Sequence, residues 1–318
     1  MLKAIKTVLA SGAMALSLLA TSPAFAAPLK VVASFSIIGD FARNVGGDRV
    51  EITTIVGPDG DAHAYEPKPA DAVAMAGADV VLVNGLHFEG FLQRLIEASA
   101  TKAAIVELTR GLTPIAFKAE FAEADDHADE AHEQAHDGHG PGPTDPHAFQ
   151  SVANAKIYVK NIADAFCAAD TQGCVGYQTN AAAYDKKLDE LDAEIREAIG
   201  SIPQNKRVVI TSHDAFGYFE HQYGLTFLAP QGISTDAEPS AADVAKLVRQ
   251  VRQDKAAAIF VENITNPKLI EQIAGETGIK VGGTLYSDAL SKPDGPASTY
   301  IDMMRNNIAR IKGAILGS

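Results

Sequence analysis

The sequence predicts an α/β protein with two similar lobes, each built on a parallel sheet, and a long rigid helix that joins them. Short apolar, β-branched runs alternate with helical patterns in both halves of the chain, which is typical of parallel sheets. The chain has 318 residues, and at roughly 100–200 residues per domain this length predicts about two domains. Hydrophobic residues make up 47% and charged residues 21%, so a soluble protein with a sizeable core is expected.

The first lobe is predicted to cover residues 27–173. Apolar runs predict its strands, and apolar residues at helical spacing predict the helices between them. The predicted strands are 29–35, 50–56, 79–83 and 103–108. The predicted helices are 37–45, a short one from about Pro69, and 87–99. The first of these helices ends at Gly46-Gly47, as helix C-termini tend to do.

The second lobe, predicted for residues 203–318, repeats this plan. Its predicted strands are 207–211, 225–229, 256–261 and 280–286, and its predicted helices are 213–223, 240–253, 267–277 and one from about Tyr300. Two motifs occur in the same order in both halves: EPKPAD at 66–71 resembles EPSAAD at 238–243, and ADVVLVN at 78–84 resembles AAAIFVE at 256–262. Two pairs of similar motifs in the same order predict that the lobes are duplicated.

Two helices are predicted between the lobes, 151–169 and a linker helix within 174–202. In the linker helix, apolar residues recur every three or four positions and form one continuous stripe: Tyr177, Ala181, Tyr184, Leu188, Leu191, Ile195 and Ile199. At 1.5 Å per residue, about 25 residues give a helix of roughly 37 Å, which is long enough to lie along both lobes. A single rigid helix predicts less hinge motion than flexible connecting strands would allow.

The N-terminus, residues 1–26, has the pattern of a secretory signal peptide. Lys3 and Lys6 precede the apolar stretch 8–19, and Ala24-Phe25-Ala26 provides a small-residue cleavage site. No cysteine lies at this site, so we expect a periplasmic protein without a lipid anchor. In that oxidising compartment, the close pair Cys167 and Cys174 is expected to form a disulfide at a turn between helices.

The formal net charge of −13 and the pI near 5.1 argue against a nucleic-acid partner, because phosphate binding needs a basic surface. Acidic residues are concentrated in residues 118–143, a low-complexity loop that we expect to be flexible. It contains eight acidic residues and four of the nine histidines, His127, His132, His136 and His139. Imidazoles beside carboxylates bind borderline divalent metals, so weak zinc capture is one interpretation and a variable surface loop is the other.

Four further metal-ligand side chains follow predicted strands or open a helix. His63 lies in the loop after the second strand, and His147 lies where the acidic loop leads into the next helix. His213 and Asp288 directly follow strands of the second lobe. Ligands of open α/β sheets bind beyond the C-terminal ends of the strands, so these four are predicted to meet in the cleft between the lobes. Three imidazoles and one carboxylate suit tetrahedral zinc.

The remaining two histidines are weaker candidates. His87 is predicted to open a helix, and His221 lies within another predicted helix, so capping and surface packing account for both.

Three motifs in order, HAYEPKP at 63–69, DPH at 145–147 and TSHDAFGYF at 211–219, resemble those of the cluster A-I solute-binding proteins. These are the metal receptors of bacterial ABC importers and include the ZnuA-like zinc receptors. The resemblance covers essentially all of residues 29–318. It implies two Rossmann-like lobes joined by a rigid helix, and one metal ion in the interlobe cleft. The family's ligand positions fall on His63, His147, His213 and Asp288, and the implied partners are an ABC permease and its ATPase.

The resemblance also bears on which metal is bound. Manganese receptors of this family usually place a carboxylate at the third ligand position, where this chain has His213, so Zn(II) is expected. The chain departs from ZnuA-like members in its short acidic loop, in Ala62 before the first ligand, and in lacking their distant cysteine pair. With Asp288 as fourth ligand it most resembles the AztC subgroup, which implies a periplasmic zinc metallochaperone as an additional partner.

We therefore expect a monomeric periplasmic zinc receptor and not an enzyme. A zinc hydrolase, the alternative from another class, needs an open coordination position and a general base, and the sequence has no His-Glu-x-x-His motif. A manganese or iron receptor with the same fold is the second alternative. An adhesin function of the surface is left open as a secondary role.

Overall fold

The computed structural model describes residues 27–117, 144–237 and 239–317. The predicted signal peptide at 1–26 and the predicted acidic loop at 118–143, with its four histidines, lie outside the described residues. The described helices do not include one that is both long enough and apolar enough to cross a membrane.

The first lobe contains a parallel four-stranded sheet. Its strands are β1 (Leu29–Phe35), β2 (Val50–Val56), β3 (Val80–Val83) and β4 (Ala104–Glu107), in the order β2-β1-β3-β4. Its helices are α1 (Ser36–Gly46), α2 (Pro69–Ala76) and α3 (Leu92–Ser99). The central strands β1 and β3 are buried almost throughout, which explains their continuous apolar sequence.

Two long helices follow, α4 (Val152–Ala169) and α5 (Cys174–Gly200). Ser151 caps the start of α4, where its side chain accepts a hydrogen bond from the Asn154 backbone N–H. A disulfide between Cys167 and Cys174 joins the last turn of α4 to the first residue of α5, which confirms the predicted pairing.

The second lobe has the same strand order as the first. Its parallel strands β5 (Val208–Ile210), β6 (Thr226–Leu228), β7 (Ala258–Glu262) and β8 (Val281–Leu285) are arranged β6-β5-β7-β8. Its helices are α6 (Gly217–Tyr223), α7 (Ala241–Asp254), α8 (Lys268–Thr277) and α9 (Tyr300–Leu316). The predicted fold class of two α/β lobes with parallel sheets is therefore confirmed.

Helix α5 packs against helices of both lobes, namely α1 and α4 of the first and α6 and α9 of the second. Its 27 residues correspond to about 40 Å, and its buried side chains are the predicted apolar stripe: Tyr177, Ala181, Tyr184, Leu188, Leu191, Ile195 and Ile199. These side chains belong to one hydrophobic core that continues from the first lobe into the second. The lobes are thus packed on a shared helix, while the residue boundaries that we assign to them stay predictions.

Two predicted helices begin later than the sequence pattern indicates. The prediction for 87–99 is wrong at its start, since Leu86 and His87 have positive φ angles of 55° and 63° and α3 begins only at Leu92. The prediction for 213–223 is wrong in the same way, because α6 begins at Gly217. After β3, Glu89 binds Ser34 of β1 and the Asn84 backbone N–H, and after β5 the His213 backbone N–H binds Glu262, so both segments are held in turns where a helix would otherwise begin.

Candidate metal centre

The four predicted ligands meet in the cleft between the lobes. His63 lies in the loop after β2 and His147 just before α4, whereas His213 follows β5 and Asp288 follows β8. One candidate ligand atom from each of the four lies within 4.8 Å of all the others. His147, His213 and Asp288 have no exposed surface, and His63 is 7% exposed.

The Asp288 carboxylate is the centre of this cluster. Its Oδ2 lies 3.1 Å from His213 Nε2, 3.3 Å from His63 Nε2 and 3.6 Å from His147 Nε2. The Nε2 atoms of His63 and His147 are themselves 3.1 Å apart. All three imidazoles therefore direct Nε2 toward one point, which is the arrangement of nitrogen donors around a single ion.

A buried carboxylate orients His213. Glu262, at the end of β7, accepts hydrogen bonds from the backbone N–H groups of Ser212 and His213 through Oε1. Its Oε2 lies 2.5 Å from His213 Nδ1. Because the carboxylate accepts this hydrogen bond, the proton of the neutral imidazole lies on Nδ1, and Nε2 is the nitrogen whose lone pair a metal can bind.

Asp145 orients His147 in the same way. Its Oδ1 accepts hydrogen bonds from the His147 backbone N–H at 2.9 Å and from Nδ1 at 2.8 Å. Gly217, at the start of α6 in the other lobe, leaves room for this carboxylate, because a Cβ at position 217 would overlap with Asp145 Oδ2. Asn84, at the exit of β3, donates a hydrogen bond to the Pro146 carbonyl and fixes the same segment.

His63 is held by its own turn. Its backbone N–H donates to Asp61 Oδ1 at 2.9 Å, and its ring contacts the edge of Phe88 with centroids 4.7 Å apart. Phe88 also packs against the His147 ring, and Phe149 packs against Phe88. These buried rings exclude water from one side of the cluster and so strengthen its electrostatic interactions.

Mutual electrostatics shift the pKa values of these groups. Burial alone would raise the pKa of Asp288, but the facing His147 and His213 hold it well below its usual value. Burial alone would lower the pKa of His147, but Asp288 and Asp145 outweigh it and raise that pKa to about 9. The pKa of His213 is likewise raised well above its usual value by Glu262 and Asp288, against the effect of burial. At neutral pH, the metal-free site therefore holds a carboxylate paired with imidazolium groups.

The donor set fits a divalent cation. Asp288 Oδ2 faces the three imidazoles, while Oδ1 of the same carboxylate is fully buried without a hydrogen-bond partner. A buried carboxylate oxygen without a partner is energetically unfavourable, and a bound cation satisfies it. Three imidazole nitrogens and one or two carboxylate oxygens are ligands that borderline divalent metals accept.

Sequence reasoning missed Glu262, Asn84 and the role of Asp145, although two of them carried a signal. Asn84 and Glu262 are the last residues of the repeated motifs at 78–84 and 256–262, and each lies at a strand exit. In each lobe this residue holds the backbone next to a candidate histidine ligand. The two histidines that the sequence analysis treated as weaker candidates lie outside the cluster. His221 is exposed on α6, and His87 lies in a turn before α3 rather than at a helix start.

Fold and site together define a metal-binding receptor of the two-lobed kind. Comparison with known proteins gives the same class: the family model described as "ZnuA: Zinc-uptake complex component A periplasmic" matches residues 31–314. The chain belongs to this family. It is a periplasmic substrate-binding protein of a metal ABC transporter, and its family consists of receptors rather than enzymes, which removes the zinc-hydrolase alternative.

Similar proteins are named for three different metals. The iron-binding protein YfeA of Yersinia pestis is 32% identical over 282 residues, covering 89% of this chain and 85% of that protein. The structure of the Mn-bound periplasmic metal binding protein from Candidatus Liberibacter asiaticus has a TM-score of 0.75 at 32% identity, covering 90% and 98% of the two chains. The periplasmic zinc binding protein TroA of Treponema pallidum has a TM-score of 0.78 at 28% identity, covering 91% and 99%.

The absence of a lipid anchor and the identity of the metal stay predictions, because the similar proteins differ in both respects. Several similar proteins are named lipoproteins, so the expectation that this chain has no lipid anchor stays a prediction. The metal named also differs among relatives, so the expectation of zinc is taken up below as a proposal.

Replacing Glu262 with Gln is expected to weaken metal binding about 10- to 100-fold, the usual effect of losing a partner that orients a histidine ligand. The Gln carbonyl still accepts from the Ser212 and His213 backbone N–H groups. Its amide N–H, however, donates to Nδ1, which places the proton of the neutral His213 ring on Nε2. Chelator competition titrations measure the effect, with Glu276→Gln on α8 as the matched control. A parental affinity for Glu262→Gln would contradict the orienting role.

Metal affinity is expected to fall as the pH drops below about 9, where metal-free His147 becomes protonated. The decrease is about tenfold per pH unit for each proton displaced, since a bound imidazole must be neutral. An ordinary imidazole pKa of about 6.5 would place this decrease lower, below neutral pH. Calorimetric titrations at neutral pH in buffers of different ionisation enthalpy count the protons released. Metal binding without proton release would contradict the raised pKa values of His147 and His213.

Proposed function

We propose that this chain is a high-affinity periplasmic zinc receptor that delivers Zn(II) to an ABC permease and its ATPase. Its ligands in this proposal are His63, His147, His213 and Asp288. The observation that carries the proposal is the convergence of three Nε2 atoms on the buried Asp288 carboxylate, with all four ligand atoms within 4.8 Å of one another. Zn(II) is the cargo of this site rather than a permanent cofactor.

The preference for zinc rests on the nitrogen content of the site. Imidazole is a borderline ligand that suits zinc, whereas manganese prefers hard oxygen ligands. At the third ligand position, His213 adds a third nitrogen, and Glu262 fixes the tautomer in which Nε2 is free to bind. Four protein ligands also satisfy the tetrahedral geometry of zinc without a water molecule.

A manganese or iron receptor is the second candidate, and one feature of the site favours it. The second oxygen of Asp288 is buried without a partner, so a bidentate carboxylate would give three nitrogens and two oxygens. The names of YfeA and of the Mn-bound protein from Candidatus Liberibacter asiaticus are in keeping with this alternative.

The subgroup, the additional partner and the oligomeric state are proposed from the sequence. We place the chain nearest the AztC subgroup, because Asp288 serves as the fourth ligand, and we propose a periplasmic zinc metallochaperone as an additional partner. The mature protein is proposed to be a monomer that is free in the periplasm.

Elemental analysis of protein purified from the periplasm without added metal tests the choice of metal. One equivalent of zinc is expected, and manganese or iron at that level would favour the second candidate.

The selectivity between zinc and manganese tests the role of His213 at the third ligand position. His213→Asp exchanges a borderline nitrogen for a hard oxygen, so zinc affinity should fall at least about tenfold while manganese affinity holds or rises. Competition titrations with both metals measure the ratio. His221→Asp, the same exchange at an exposed histidine of α6, is the matched control and should leave both affinities unchanged. Unchanged selectivity in His213→Asp would remove His213 from the ligand set.

Weak additional zinc capture is proposed for His127, His132, His136 and His139, which lie outside the described residues. Because no proposed tight ligand lies in that loop, deletion of residues 120–140 should leave the tight zinc affinity unchanged. Zinc stoichiometry at high concentration should fall toward one equivalent, as measured by equilibrium dialysis. Replacing the four histidines with Gln in the full-length chain should have the same effect. Loss of tight binding in either variant would place a loop histidine in the cleft site.

A further inference from the structure

A short segment of the second lobe connects two candidate ligands across the cleft. We name residues 231–237 the strap. Its beginning is fixed to the backbone around His213: Gln231 pairs with His213 in an isolated parallel bridge, and the Asp214 N–H donates to the Gly232 carbonyl at 3.1 Å. The Gln231 side chain donates to the Ala237 carbonyl at 3.0 Å and closes the strap on itself.

The far part of the strap reaches the other lobe through one side chain. The Thr235 hydroxyl donates a hydrogen bond of 2.5 Å to Asp61 Oδ2. The other oxygen of Asp61 accepts from the His63 backbone N–H at 2.9 Å and from the Ala64 N–H at 3.4 Å. A single carboxylate therefore holds the turn that carries His63 and, at the same time, the strap that is fixed to His213.

The base of the His63 turn is fixed independently of the strap. The Asp59 N–H donates to the Leu290 carbonyl at 2.9 Å, two residues beyond Asp288. The Asn263 side chain donates to Asp59 Oδ1 at 3.1 Å. Movement of the turn would therefore be confined to the part from Asp61 onward, which includes His63.

A cavity of about 180 Å³ lies beside the strap. It is lined by Asp61, Ser212, Gln231 and Thr235 and by side chains of the segment 264–270. Residues 231–237 are all half-buried or exposed, so hydrogen bonds rather than core packing hold the strap at this point. Two of the lining residues, Asp61 and Ser212, are close neighbours in sequence of the ligands His63 and His213.

We propose that Thr235 and Asp61 are positioning residues that set the rate at which the metal leaves the cleft. His147 and His213 are each held by a buried carboxylate on Nδ1, whereas the His63 turn depends on Asp61. Loss of the Thr235–Asp61 hydrogen bond frees this turn, so His63 is the first ligand to leave and metal dissociation accelerates. This inference rests on the proposed function of the cleft as a metal receptor.

Stopped-flow mixing of the zinc-loaded full-length protein with excess chelator tests the proposal. Thr235→Val removes the hydroxyl at nearly constant volume, and the dissociation rate should rise about tenfold or more, as for loss of a hydrogen bond to a charged group. The association rate should stay within about twofold, since the ligands themselves are unchanged. Thr235→Ser keeps the hydroxyl and should restore the parental rate. Thr179→Val on the exposed face of α5 is the matched control.

A double-variant cycle identifies the path of the effect. If Thr235 acts through Asp61, Thr235→Val should add nothing to the dissociation rate of Asp61→Ala. An equal rate in parent and Thr235→Val, an accelerated rate in Thr235→Ser, or full additivity with Asp61→Ala would each overturn the strap proposal. These outcomes leave the proposed function intact, because the parent still binds zinc. A parent that binds manganese rather than zinc is tested by the same exchange with manganese, and a parent that binds neither overturns both proposals.

Discussion

The charge of Asp288 is the constraint on which the rest of the site depends. This carboxylate has no exposed surface, and an isolated ion in such a place would be strongly destabilising. Three imidazoles surround one of its oxygens, and protons on two of them compensate the charge when no metal is bound. A divalent cation takes over that compensation when it displaces the protons. Metal binding thus exchanges one compensation of the buried Asp288 charge for another.

Imidazoles can compensate the Asp288 charge and bind the metal only if their rings are fixed in orientation. Asp145 and Glu262 fix two of them by accepting from Nδ1, and each of these carboxylates also binds backbone N–H groups of the same segment. Those segments are anchored in turn by the ends of β-strands, and the two sheets are held by a shared core along α5. The two parallel sheets therefore fix the positions of the strand ends, and these in turn fix the positions of the imidazole nitrogen atoms.

Much of the fold could be predicted from local sequence. The runs at 29–35 and 50–56 match β1 and β2 in both bounds. The central strand β1 is an almost continuous apolar run, whereas the edge strand β2 combines β-branched residues with alternating exposed and half-buried positions at its start. The four cleft residues could be predicted as a set because ligands of open α/β sheets bind beyond the C-terminal ends of the strands, and those ends face the cleft from both lobes. The ligand types alone already suited zinc, and the family resemblance added the comparison with manganese receptors at the third ligand position.

Long-range hydrogen bonds account for what local sequence did not predict. The segment at 87–91 has a helical pattern, yet Glu89 turns back to bind Ser34 and the Asn84 backbone N–H, and α3 starts only after this turn. Glu262 is separated from His213 by 49 residues, and Thr235 from Asp61 by 174 residues. No periodicity in a single segment encodes such pairs, since the first depends on how β5 and β7 lie side by side in the second lobe and the second on how the two lobes face each other.

The repeated lobes differ where a receptor needs asymmetry. At equivalent strand exits, the first lobe has Asn84, which holds the backbone before His147, and the second has Glu262, which holds both the backbone and the ring of His213. A receptor must bind its ion tightly and still release it to a transporter, and four equally rigid ligands would oppose release. His213 and Asp288 follow strands closely and His147 is held through Asn84 at a strand exit, whereas His63 lies seven residues beyond β2 on a turn held by Asp61. In the strap proposal His63 leaves first, so the other three ligands still hold the ion when dissociation begins.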